Sequence, residues 1–131
     1  MKALLNSFTN SGEYKSILDS LISRKQISIT GPIEMARVHF CSCLLNDTQK
    51  KGVFVAHNEL RARKFYEDFE GYFGDDALFL SPSDILLYNT EARSNETLYN
   101  RISVLERIFK GDYKILVTSC CLLYTSDAAD E

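Results

Sequence analysis

Gln26-Ile27-Ser28-Ile29-Thr30-Gly31-Pro32-Ile33-Glu34-Met35-Ala36 is the stretch on which the fold turns. Ile27 and Ile29 alternate with polar neighbours, as in a short strand. Gly31-Pro32 then breaks the run, and Pro fits the first turn of a helix because the N–H it lacks has no partner there. Strand, glycine turn and helix in that order is where a nucleotide-binding α/β domain places its phosphate loop, with backbone N–H groups and a helix N-terminus turned toward the phosphates. A working Walker A loop reads G-x-x-x-x-G-K-[ST]: glycines close the backbone on phosphate, Lys reaches the β/γ oxygens, and the hydroxyl holds Mg²⁺. Here those positions carry Ser28, Ile33, Glu34 and Met35, with Thr30 and Gly31 between them. A carboxylate stands where the ammonium belongs, and a thioether where the magnesium ligand belongs.

Working outward, the 131 residues are 45% hydrophobic and 25% charged, enough to bury the core of one ordinary domain or part of one. A net charge of -3 and a pI near 5.4 argue against a chain whose main task is coating nucleic acid. The apolar run at Met1–Phe8 is too short for a signal peptide, and no later run spans a bilayer, so a cytoplasmic location without membrane contact is expected. The cysteines are Cys41, Cys43, Cys120 and Cys121. On a helix Cys41 and Cys43 point roughly 200° apart and cannot chelate one ion together, and the adjacent pair is no better placed. Neither a metal site nor a disulfide framework is implied.

Upstream of the loop, Met1–Ser11 reads as a short helix and turn, and Asn10 can cap the next helix. Tyr14, Ile17, Leu18, Leu21 and Ile22 form one apolar face of a helix ending near Arg24. Downstream, a helix from Ile33 to about Asn46 is apolar on several sides, and His39 among those residues reads as a structural histidine. Val53-Phe54-Val55-Ala56 is a continuous apolar run expected of a strand buried on both faces. His57-Asn58 follows at the carboxyl end of that strand, where open α/β sheets gather ligands. Asn58 suits the helix cap. His57 has no Ser, Cys or Asp partner in sight, which favours a turn-bonding role over chemistry.

The helix Glu59–Phe73 should bury Leu60, Ala62, Phe65, Tyr66, Phe69 and Phe73, with Gly74 ending it. Ala77–Leu80 reads as a strand, and Ile85–Tyr88 as another short one. Leu98, Ile102, Leu105, Ile108 and Phe109 mark a helix capped from Ser94 or Asn95 and closed by Gly111, and Tyr113–Thr118 a last strand. Alternation of this kind with connections of this length implies a parallel sheet with right-handed crossovers and helices on both faces.

The segments Val53–Asn58, Arg63–Phe69, Leu78–Asp84 with Tyr88, Arg101–Arg107 and Ile115–Ser119, taken in order, resemble the N-terminal domain of bacterial transcription-repair coupling factor. That domain is similar to the nucleotide-binding domain of excision nuclease B. The resemblance covers about Gln26 to Ser119 and implies an α/β fold of the P-loop-NTPase type, three-layered, with helices on both faces of a parallel sheet, and incomplete here. The phosphate loop of the coupling factor is degenerate, and Ser28 to Met35 departs from the working pattern in the same sense.

The resemblance also implies a non-catalytic scaffold and contact fragment that binds no cofactor and no metal. ATP and Mg would belong to the motor of the parent protein, an ATP-dependent double-stranded-DNA translocase. Excision nuclease A, stalled RNA polymerase and DNA would be partners of the parent, and this fragment would make intramolecular contacts with the missing domains. The alternative is a nucleotide-hydrolysing half-domain of the excision nuclease B or helicase type. Cys121–Glu131 resembles the in-frame translation of a transposon-end sequencing adapter. The expected organisation is therefore an N-terminal helical segment at 1–25, a degenerate P-loop-like α/β half-domain at 26–120, and a non-native tail at 121–131.

Overall fold

A computed structural model describes residues 10–31, 34–81 and 95–122. The expected helix at Met1–Ser11 therefore lies outside them except at its end, as do the Ile85–Tyr88 strand, the Ser94 cap and the tail beyond Leu122. The chain divides into two compact units, Met1–Lys50 and Lys51–Glu131.

The first unit contains α1 (Gly12–Ile22) and α2 (Glu34–Thr48). Ser11, rather than Asn10, holds the N-cap position of α1 in an extended conformation. Tyr14 is buried and joins the two helices: its ring meets Phe40 edge-on at 5.8 Å, and its hydroxyl donates to Asp47 Oδ2 at 2.6 Å. Phe40 and Asp47 are two turns apart on α2, so one side chain spans that face. Val38, Ser42 and Cys43 are buried on α2.

At the end of α1, Lys25 N–H donates to Ser20 O at 2.9 Å and Arg24 N–H to Leu21 O at 3.1 Å, the paired bonds of a Schellman cap. Its left-handed position is held by Arg24 at φ 58°. A Cβ is strained in that conformation. Replacing Arg24 with glycine is therefore expected to raise stability by about 0.5–1 kcal/mol in urea melts; a loss of stability would show that the Arg24 side chain matters more than its backbone.

The strand expected at Gln26–Thr30 does not form: residues 25–30 join neither helix nor ladder, and Ile29 is 43% exposed. Alternation specifies a strand only where a neighbour supplies the hydrogen bonds, because a strand has none of its own.

The second unit is an α/β arrangement around a three-stranded parallel sheet: β1 (Gly52–Ala56), α3 (Glu59–Phe73), a 3₁₀ turn at Gly74–Asp76, β2 (Ala77–Leu80), α4 (Asn95–Lys110) and β3 (Ile115–Ser119). The sheet order is β1-β3-β2. Phe54 pairs with Val117, and Val117 with Phe79, so these three point to one face. On that face lies α3. Its stripe of Ala62, Phe65 and Phe69 is buried, and the Phe54 ring sits 4.8 Å from Phe65 and 5.2 Å from Phe69. Tyr66 covers Phe79 at 5.5 Å.

Three burial expectations are corrected. Leu60 is 80% exposed, because it lies off the i, i+3, i+7 stripe that Ala62, Phe65 and Phe69 define. Ile102 and Phe109 on α4 are 53% and 89% exposed; Phe109 is about 100° round the helix from Ile108 and cannot share its direction. Val53 and Val55 are 60% and 46% exposed, because β1 is an edge strand; the strand buried along its whole length is the central β3.

The helix ends follow sequence. Asn58 Oδ1 accepts the Arg61 N–H at 2.8 Å, capping α3. Gly74 ends α3 at φ 57°, and Gly111 ends α4 at φ 68° in a second Schellman cap, with Asp112 N–H donating to Arg107 O at 2.9 Å. Arg107 also ties the amino edge of the sheet together: it donates to Asp75 O at 2.7 Å and lies 3.8 Å from Asp76 and 3.6 Å from Asp112. After β3 the backbone turns helical through Cys120–Leu122, and Leu122 is buried. No described helix is long and apolar enough to cross a membrane.

Candidate phosphate loop

Ser28, Thr30 and Gly31 are exposed in the segment between α1 and α2. Gly31 has φ 112°, and a Cβ built on it would meet nothing within 4 Å. Its glycine is therefore required by backbone conformation rather than by a close neighbour. Three residues later α2 begins at Glu34; the expected first helical residue, Ile33, lies with Pro32 outside the described residues, and the strand expected to lead into Gly31 does not form. Ile33 and the side chains of Glu34 and Met35 lie outside the described residues.

Between Gln26 and Ala36 the chain carries no Lys or Arg, and its one charge is the Glu34 carboxylate. A helix N-terminus carries roughly half a positive charge, which draws anions. A carboxylate in place of the Walker lysine adds like charge where a polyphosphate would need a cation.

His57 is exposed at the carboxyl end of β1. Its carbonyl accepts the Cys120 S–H at 2.9 Å, and Asn58 Nδ2 lies 2.9 Å from its Nε2. Both bonds hold the turn, as the sequence favoured. His39 lies 4.0 Å from Cys43 Sγ, one turn apart on α2. Burial pushes the Cys43 thiol up, away from the thiolate a nucleophile or metal ligand requires. Cys41 is likewise pushed up by burial. All four cysteines are free, and no group of three His, Cys, Asp or Glu among the described residues could hold a metal ion.

The structure brings together a polar row that the sequence does not announce. Register places Ser119 level with Ala56, and Ser81 follows Leu80, the partner of Thr118, so both serines end their strands on the α3 face. Ser81 Oγ donates to Glu59 Oε1 at 2.5 Å, Thr118 Oγ1 donates to Leu80 O at 2.8 Å, and the buried Ser119 Oγ has no hydrogen-bond partner. Only the strand pairing reveals this row, since Glu59, Ser81 and Ser119 are far apart in sequence. It binds the start of α3 to the carboxyl edge, and the cation beside it among the described residues is Arg63, itself 4.0 Å from Glu59. An open groove of about 380 Å³ on α1, lined by residues including Lys15, Asp19 and Lys25, includes none of the loop residues.

No protein-family model, curated protein or solved structure matches this chain.

Proposed function

We propose that the chain is a non-catalytic scaffold and interaction fragment from the N-terminus of a transcription-repair coupling factor, a cytoplasmic DNA-repair protein. The observation that carries this reading is the glycine turn leading into α2 with Glu34 as its first residue and no Lys or Arg from Gln26 to Ala36. The glycine before a helix suits a phosphate loop in sequence, although residues 25–30 join no ladder, and the charge opposes phosphate.

The sheet supports the same reading. β1 to β2 by way of α3 and β2 to β3 by way of α4 cross the sheet in opposite directions, so right-handed crossovers put α3 and α4 on opposite faces, as in a three-layer P-loop-like fold. The open edge at β1 is where such a sheet would continue with strands from the rest of the parent. ATP and Mg binding, DNA translocation, and contacts with RNA polymerase and excision nuclease A would all reside in that parent. The nucleotide-hydrolysing alternative needs a cation and a hydroxyl at Glu34 and Met35 and has neither.

Calorimetric titration of the chain with Mg-ATP is expected to give no heat of binding up to about 1 mM, an affinity weaker than roughly 4 kcal/mol. Micromolar binding that disappears on changing Gly31 would overturn the scaffold reading in favour of the hydrolase. Sequencing the natural DNA beyond codon 119 provides an independent test. A coupling factor requires a long continuation with helicase motifs there, and a stop codon or unrelated domain would refute it.

A further inference from the structure

We draw no further inference here: the strongest candidate, the exposed stripe of Tyr99, Ile102 and Phe109 along α4, is an apolar helix face, and nothing in the structure shows what covers it.

Discussion

Replacing Phe69 with alanine is expected to unfold most of the Lys51–Glu131 unit at 37 °C. Phe69 has no exposed surface and packs on Phe54 at 5.2 Å, at the centre of the contact between α3 and the sheet. Truncating a buried phenylalanine costs about 3–5 kcal/mol through lost transfer energy and the cavity left behind. Small domains hold only about 5–15 kcal/mol in total, and a sheet of three described strands, two of them outer strands, belongs near the lower limit. The measurement is a urea melt followed by circular dichroism, with Leu60→Ala as control. Leu60 is 80% exposed and its truncation should stay within about 0.5 kcal/mol. If Phe69→Ala melts with the parent chain, the α3 stripe does not hold the sheet.

Replacing Tyr14 with alanine should separate α1 from α2, at a cost of about 3–4 kcal/mol to that helix pair. The ring is 3% exposed, and the hydroxyl provides the hydrogen bond from α1 to Asp47 on α2. Tyr14→Phe keeps the ring against Phe40 and should cost only about 0.5–1.5 kcal/mol, since Asp47 is exposed and can turn to water.

The same contact makes the pair sensitive to alkali. Burial first, then the hydrogen bond to Asp47 and its charge, hold the Tyr14 phenol well above its ordinary value, and burial first also raises the Cys43 thiol. A group whose pKa is raised on folding contributes stability that is complete below its unfolded value and lost as pH rises past it. Helicity of the first unit should therefore hold at neutral pH and decline from about pH 9 as the thiols of Cys41 and Cys43 begin to ionise, then more steeply above about pH 10 as Tyr14 follows. In Tyr14→Phe the steeper part should vanish. An unchanged alkaline melt in that variant would show that Tyr14 is not the group responsible.

Legibility followed the range of the interaction concerned. Asn58, Gly74 and Gly111 act within one or two turns of their own helix, so their roles could be read from neighbouring residues, and the structure places all three as caps. The helix after Gly31 was legible for the same reason. Gln26–Thr30 was misread because a strand depends on a neighbour that no local pattern reports. Val53 and Val55 were misread because a continuous apolar run looks the same at the edge of a sheet as at its centre. The polar row of Glu59, Ser81 and Ser119 was invisible because it exists only once β2 and β3 are paired.

The sequence by itself determined the four described helices, the cap of α3 at Asn58, the glycine ends of α3 and α4, the α/β alternation and the charge of the loop before α2, since periodicity, capping and residue chemistry are local. Tertiary structure decided which strand is central, which valines face water and that Gln26–Thr30 stands outside the sheet. Strand order and exposure depend on which segments find one another in space, and a strand's hydrogen bonds are completed by residues distant in the chain.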